Sequence, residues 1–361
     1  MAVRALQIYA GPKALTHMAR NGLSPHDVHT IAAAAGGPKG LLLGQLDQFV
    51  FGDWLTQSQQ PVDLIGASIG AWRMATACLA DTRVGFERLE HDYIHQHYEI
   101  PPGRKSPSPE QVSETFGHTI TAFYQGRETD VVSHPRYRLH VVTSRGRHLL
   151  HTEHRLGTPL GYLGAFASNA MHRKAMGAWL ERVVFSSQSV SDLPFATDDY
   201  RTRQVALTQT NLRAALQASC SIPFVLQAVH NIAGAPPGAY WDGGITDYHL
   251  HLNYAAARPQ GVVLYPHFQK QVIPGWLDKR LRWRHKATAF LDTVVLLAPR
   301  AEWVQTLPYG RLPDRSDFLR YGNNVGARVR AWSTVTAASL QLADEFAHWL
   351  RRPDMAQVLP L

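Results

Sequence analysis

Residues 61–80 read "PVDLIGASIGAWRMATACLA": a short apolar run, a glycine-rich turn, and a segment of small and apolar residues. The apolar run predicts a buried strand, and the segment after Gly70 predicts a helix. Gly66 and Gly70 bracket Ser68 in a G-x-S-x-G pentapeptide. A strand, a sharp turn and a helix together present a serine hydroxyl at the edge of an α/β sheet, with glycines where side chains would clash. The stretch predicts an α/β fold and makes Ser68 a candidate nucleophile, although such residues are also common in purely structural turns.

The rest of the chain continues this alternation of strands and helices. "DVHTIAAAA" (27–35) predicts a strand and "LLLGQLDQFVFG" (41–52) a helix. Further strands are predicted over 138–144, 182–187, 202–210 and 292–299, helices over 211–219 and 325–352, and surface loops near 101–109 and 234–237. Without repeats or a linker, the pattern predicts one three-layer domain over residues 1–361, with a mainly parallel central sheet between helices. Residues 84–200 are expected to contain insertions or a cap.

Charge and composition limit the partners and the location. The net charge of +8 predicts attraction to anionic surfaces. No zinc-finger, recognition-helix or RNA-binding signature accompanies the basic runs, so we expect peripheral contact with an anionic membrane and no nucleic acid. No apolar run approaches the ~20 residues that span a bilayer, and the N-terminal segment predicts no secretory signal. Two cysteines predict neither a disulfide framework nor a zinc site, which favours a cytoplasmic location.

A second glycine-rich segment, "AAAAGGPKG" (32–40), joins a predicted strand to a predicted helix. Free N–H groups at such a turn can hold an anion. The residue count fits neither a P-loop nor a dinucleotide fingerprint, so no nucleotide cofactor is predicted. Either an acyl-transfer oxyanion binds here, or the segment is only a tight turn. Pro38 has no N–H, so the donors would be Gly36, Gly37 or their neighbours, and parallel strands would place them at the same sheet edge as Ser68.

A third segment, "YWDGGITDYHLHL" (240–252), contains an aspartate followed by two glycines. Asp-Gly is often a turn signal. Here Tyr240 and Trp241 precede Asp242 and could shield its carboxylate from water. Desolvation raises the pKa of a carboxyl group and makes it a better proton acceptor. Asp242 is therefore a candidate base, whereas Asp247 is expected to serve the loop.

These three segments, in this order, resemble the patatin-like phospholipases, whose pattern is a G-G-G-x-[RK]-G oxyanion loop, a G-x-S-x-G serine and a distant D-G-[GA] aspartate. A fourth segment, "LQASCSIPFVLQAV" (216–229), is similar to the family's Ala-Ser-x-x-Ile-Pro-x-x-Phe block. The resemblance covers roughly residues 30–250. Ala35 departs from the pattern because the family has glycine there, and "PFVLQAV" departs from the commoner forms of the fourth block. These departures bear on the path of the loop and the shape of the acyl pocket.

The resemblance implies a function and a set of residues. It implies a serine lipid acyl hydrolase (a phospholipase A, lysophospholipase or carboxylesterase) that forms a covalent acyl-enzyme on a lipid or small ester, without cofactor or metal. Ser68 would be the nucleophile and Asp242 its base, in a dyad without histidine. The oxyanion hole would be formed by Gly36, Gly37 and Ile69. The supporting residues would be Lys39, Gly40, Gly66, Gly70 and Gly243.

Several alternatives stay open at this point. A serine acyltransferase or an inactive lipid-binding module could share the scaffold. A Ser-His-Asp triad would need a downstream histidine, and the candidates are His249, His251, His267 and His285. Metal binding would need one of two histidine groups, His91 with His95 and His97, or His148 with His151 and His154. Cys220 is expected to be a buried small residue.

Overall fold

Five parallel strands form the centre of the sheet in this computed structural model, which describes residues 3–100, 103–104, 106–187 and 192–361. Within those ranges the strands are β1 (Leu6–Ala10), β2 (Val28–Ala33), β3 (Val62–Ala67), β4 (Tyr137–Gly146), β5 (Leu180–Ser186), β6 (Thr202–Ala206), β7 (Val229–His230), β8 (Ala239–Asp242), β9 (Val262–Pro266), β10 (Val294–Pro299) and β11 (Val358–Pro360). Their order is β11-β1-β10-β9-β2-β3-β4-β5-β6, and β8 pairs with both β4 and β7. The strands from β10 to β4 in this order are parallel. The predicted α/β class with a mainly parallel sheet is confirmed.

Helices flank the sheet and complete a three-layer α/β domain. The α-helices are α1 (Pro12–Asn21), α2 (Gly44–Phe49), α3 (Ile69–Ala77), α4 (Thr82–His95), α5 (Pro109–Tyr124), α6 (Glu128–Val132), α7 (Gly157–Met171), α8 (Leu212–Cys220), α9 (Gly244–Asp247), α10 (Tyr254–Ala257), α11 (Ala301–Val304), α12 (Ser316–Tyr321), α13 (Val325–Ala338) and α14 (Leu340–Arg351). No helix in the described residues is long and apolar enough to cross a membrane.

Burial on both faces explains why the central strands have apolar sequences. Every residue of β3 and of β10 is buried. Strands covered on both faces by helices are continuously apolar rather than alternating. The sequence analysis identified β2, β3 and β10 from such runs. It did not identify β1, β9 or β11.

The single long helix predicted over 325–352 is wrong. The chain forms α13 and α14, which meet at Ser339. The Ser339 hydroxyl donates to the Thr336 carbonyl at 2.7 Å, and its N–H is shared between Val335 and Thr336. Serine side chains compete in this way for helix carbonyls. The apolar stripe still packs inward on both helices, which is why periodicity alone did not reveal the break.

Strand β4 positions the carboxyl ends of two other strands. Its first six residues pair in parallel with β3, ending at Val142 opposite Ala67. Its next residues pair antiparallel with β8, beginning at Thr143 opposite Asp242. Because β5 occupies the other side of β4, strand β8 runs along the same side as β3 and towards its end. The last residue of β8 therefore meets the first residue after β3.

Residues 84–200, where insertions or a cap were expected, contribute both to the sheet and to its surroundings. β4 and β5 are strands of the central sheet, and α4, α5 and α7 lie outside it. Of the loop predicted near 101–109, residues 101, 102 and 105 lie outside the described residues. Residues 234–237 form part of the loop between β7 and β8, as predicted.

Candidate active site

Ser68 lies on a strained turn between β3 and α3. Its φ of 56° and ψ of −129° are unusual for a residue with a side chain. Gly70 allows the turn to pack, because a Cβ there would lie 1.9 Å from the carbonyl oxygen of Ala33. A Cβ on Gly66 would likewise lie 2.5 Å from the backbone of Ala71. The predicted strand–turn–helix around Ser68 is present.

Ser219 stabilises this turn through two hydrogen bonds. The Ser68 N–H donates to the Ser219 Oγ at 2.9 Å, and the Ser219 hydroxyl donates to the Val142 carbonyl at 2.7 Å. The turn is therefore hydrogen-bonded through Ser219 to the middle of β4. The sequence analysis did not single out Ser219, although it lies in the 216–229 segment.

The Ser68 hydroxyl donates to Asp242 Oδ2 at 2.8 Å, across 174 positions of the chain. The other carboxylate oxygen, Oδ1, accepts the Gly244 N–H at 2.7 Å. Ser68 is 3% exposed and Asp242 5% exposed. In the part of the chain that the structure describes, no histidine hydrogen-bonds to either side chain. The structure therefore brings the two predicted residues together without an imidazole between them.

The environment of Asp242 favours the protonated carboxyl. Burial raises its pKa above the ordinary value. The charge of Arg315 and the hydrogen bonds from Ser68 and Gly244 oppose this shift without cancelling it. A carboxylate with a raised pKa is a stronger proton acceptor. The direction of this shift agrees with the prediction from the sequence, and Tyr240 and Trp241, the residues before Asp242, are buried in the core.

Three residues of the predicted oxyanion hole line the cavities at Ser68 and Asp242. Gly37 and Ile69 line one cavity together with Ser68. Gly36 lines a second cavity, next to the first, together with Asp242. Gly37 has a φ of +56°, which glycine adopts without strain. The N–H groups of Gly36, Gly37 and Ile69 have no acceptor within the described ranges, and that of Ile69 is free because it begins α3. Such groups are suited to receiving a developing oxyanion.

A buried ion pair joins α2, which follows the glycine segment, to α3, which follows the serine turn. Arg73 of α3 donates to both carboxylate oxygens of Asp47 in α2, at 2.6 and 2.8 Å. The side chain of Ile69 packs on Gly40, where a Cβ would lie 2.9 Å away. The predicted support from Gly40 is thus a close contact between the two segments. Gly243 likewise lies against the backbone, since a Cβ there would meet the Val142 carbonyl oxygen.

Two adjoining cavities open on the pair of side chains. The larger, about 390 Å³, contains Ser68 and has mostly apolar walls. Those walls include Trp72, Tyr98, Val112, Phe116, Cys220, Ile222, Phe224, Val225, Leu226, Phe318 and Leu319. The smaller, about 150 Å³, contains Asp242 and is lined by charged residues, among them Lys39 and Asp314. We call them the apolar cavity and the polar cavity. Ile222 and Arg315 line both.

Of the other candidates from the sequence, Asp247 and the histidines make their contacts elsewhere, whereas Cys220 lies beside Ser68 in the same cavity. Asp247 is paired with Arg182 and Arg173, in agreement with a role in the loop. Burial raises the pKa of the Cys220 thiol, so it stays neutral. The triad candidates hydrogen-bond elsewhere: His249, His251, His267 and His285 each contact a backbone carbonyl. Among the described residues no group of three or more His, Cys, Asp or Glu side chains could hold a metal ion.

Neither a family model nor a curated protein matches this chain.

Proposed function

We propose that the protein is a serine ester hydrolase that cleaves acyl esters of lipids through a Ser68–Asp242 dyad. The single observation that carries this proposal is the 2.8 Å hydrogen bond from the Ser68 hydroxyl to a buried carboxylate. A nucleophile in direct contact with a base is the arrangement that covalent catalysis requires. The free N–H groups at Gly37 and Ile69 and the apolar cavity add to its support, as does the resemblance of the four segments to the patatin-like phospholipases.

The geometry suits two successive displacements. Asp242 takes the Ser68 proton as Oγ bonds to the ester carbonyl carbon, and the carbonyl oxygen becomes an oxyanion beside the free N–H groups. The carbon–oxygen bond to the alcohol then breaks, and the proton on Asp242 passes to the leaving oxygen. Water repeats the sequence: its proton goes to Asp242, its oxygen bonds to the acyl carbon, and Ser68 leaves with the proton. Removal of one oxyanion donor costs about 10²–10³-fold in comparable hydrolases.

The test is covalent labelling followed by product identification. A fluorophosphonate with an alkyl chain should label Ser68 in the wild-type protein, and Ser68→Ala should lose both the label and ester hydrolysis. Ser133→Ala is the matched control, because Ser133 is exposed after α6, and it should keep both. A folded wild-type protein that takes up no label would favour the inactive lipid-binding module. Acyl transfer to an added alcohol in preference to water would favour the acyltransferase.

Helix α7 supports contact with a lipid surface. Its sequence "GTPLGYLGAFASNAM" has no charged residue. One face, including Tyr162, packs inward, yet Leu156 just before the helix and Leu160, Leu163 and Met171 within it are 59–86% exposed. Exposed apolar patches of this kind mark interaction sites. The basic residues Arg155 and Lys174 flank the helix, as expected for an anionic interface.

The position of α7 connects this surface to the apolar cavity. Tyr162 contacts Phe224, with ring centroids 5.9 Å apart, and Phe224 lines the cavity while remaining 55% exposed. An acyl chain leaving a lipid surface at α7 would therefore meet the apolar cavity first. Leu160→Glu combined with Leu163→Glu should abolish sedimentation with anionic vesicles, whereas Leu340→Glu, an exposed leucine of α14, should not. Equal binding by both variants would contradict this contact.

A further inference from the structure

The polar cavity beside Asp242 holds more positive charge than its own carboxylates neutralise. Three cations line it: Lys39, Lys279 and Arg315. The carboxylates are Asp314 and Asp242, and Asp242 already accepts the Ser68 hydroxyl. These three cations come from separate segments of the chain, so their meeting is a property of the tertiary structure.

Two of the three cations lack a carboxylate partner. Lys39 lies 3.7 Å from Asp314. Over the described residues, Lys279 and Arg315 have no carboxylate within 4.0 Å and Arg315 donates no hydrogen bond. The Lys279 ammonium instead lies over the Tyr248 ring, 4.0 Å from its centroid. By contrast, Arg73, which lies close to the sheet, is paired with Asp47.

Burial and the neighbouring cations both disfavour the charged form of Lys279. Partial burial, and then the charges of Arg315 and Lys39, lower its pKa to about 8. An anion bound between the cations would replace lost hydration and relieve their repulsion. The cavity therefore has room, charge and unused donors for a negatively charged group.

Proton transfer determines which part of an ester would reach this cavity. In the proposed reaction, Asp242 delivers the proton to the leaving alcohol oxygen, so that oxygen must lie beside Asp242. Asp242 lines the polar cavity, whereas Ser68 lines the apolar one. An acyl chain is favoured in apolar surroundings, so the alcohol part is left to the polar side.

We propose that the polar cavity is a subsite for an anionic group, a phosphate or a carboxylate, on the alcohol part of the substrate, an assignment that rests on the proposed ester hydrolysis. Its volume of about 150 Å³ has room for a group of roughly the size of benzene, and therefore for a phosphate or a carboxylate. The substrate class is thus an acyl ester whose alcohol part carries a small anionic group. Lys279 and Arg315 are its recognition groups, and Lys39 stands beside them.

Calorimetric titration tests the subsite without any turnover. Glycerol 3-phosphate and glycerate are the anionic probes, and glycerol is the neutral one. We expect at least one anion to bind and glycerol not to bind, with Lys279→Gln weakening the anion by about tenfold or more, since a hydrogen bond to a charged group is lost. Lys13→Gln is the matched control, because Lys13 pairs with Asp292 near the start of β10, at the opposite edge of the sheet. Binding of one anion only would identify the group as phosphate or carboxylate.

Hydrolysis of matched esters gives the second readout. A monoacylglycerol 3-phosphate should be cleaved with a higher kcat/KM than the monoacylglycerol with the same acyl chain. Lys279→Gln should reduce the ratio of these two kcat/KM values. No binding of either anion, or equal weakening by Lys279→Gln and Lys13→Gln, would overturn the subsite. If neither anion bound but the neutral ester were still hydrolysed, the subsite proposal would fail and the Ser68–Asp242 dyad would remain supported. If an anion bound specifically but no ester were hydrolysed, the subsite would be supported and the proposed ester hydrolysis would be contradicted.

Discussion

Two buried aspartates five residues apart have opposite properties. Asp242 accepts one hydroxyl and one N–H, forms no ion pair with any described residue, and has its pKa raised by burial. Burial would likewise raise the pKa of Asp247, but the charge and hydrogen bonds of Arg182, together with Arg173, outweigh burial and lower it. Arg182 contacts both oxygens of Asp247, at 2.6 and 2.7 Å.

The difference shows that burial alone does not decide the role of a carboxylate. What decides it is whether a guanidinium reaches the oxygens. Asp247, at the end of α9, is neutralised and joins the turn after Asp242 to β5 and to Arg173. Within the described residues no guanidinium pairs with Asp242, which lines the polar cavity. Asp247 thus anchors the turn that positions Asp242, the proposed base.

The largest expected effect separates the two residues by activity. Asp242→Asn should lower kcat/KM for an acyl ester by on the order of 10⁴-fold, because the amide no longer accepts the Ser68 proton. Asp247→Asn should lower it far less per folded molecule, because Asp247 does not touch Ser68. Circular dichroism normalises both rates to folded protein, because fluorophosphonate labelling itself depends on the Ser68–Asp242 contact. Similar losses per folded molecule would remove the distinction.

Stability should show the reverse order. Asp247→Asn leaves the buried Arg182 with Asp199 as its one remaining ion-pair partner among the described residues, so we expect a loss of about 3–5 kcal/mol in the free energy of unfolding. Asp242→Asn removes a desolvated charge, so at pH 7 its stability should equal or exceed that of the wild type. Urea unfolding of both variants at pH 7 is the measurement. A large loss in Asp242→Asn would mean that its carboxylate is structural.

The smallest expected effect is that, on acidification, activity is lost at a higher pH than the folded structure. Asp242 acts only when ionised, so activity should fall as the pH drops through its raised pKa, above the ordinary aspartate value of about 3.9. Its protonation favours the folded state, because the folded state binds that proton more tightly. The contribution of Asp247 is present above the unfolded value and is lost only as pH falls through its lowered pKa. Circular dichroism and kcat/KM, measured over the same series of pH values, should show a pH interval in which the protein is folded but inactive.

Local patterns in the sequence predicted much of the site. The turn at Ser68, the glycine segment at Gly36 and Gly37 and the Asp242 turn all depend on steric demands within a few residues, which the sequence displays directly. The break at Ser339 was missed because the apolar periodicity continues through it. Ser219, Arg315 and Lys279 were not singled out because their roles arise from contacts with distant segments, and a single serine, arginine or lysine carries no local signal.

The sequence alone determined the class of fold, the strained serine turn and the identity of the serine and the aspartate, because strand burial, glycine sterics and turn chemistry act over short stretches of chain. Only the tertiary structure decided that Ser68 and Asp242 touch, since β8 reaches the end of β3 by pairing along β4. It also decided which aspartate is neutralised and where three cations gather. Those outcomes depend on strand order and on side chains that meet from remote segments, and the free energy of such contacts exists only once the sheet has formed.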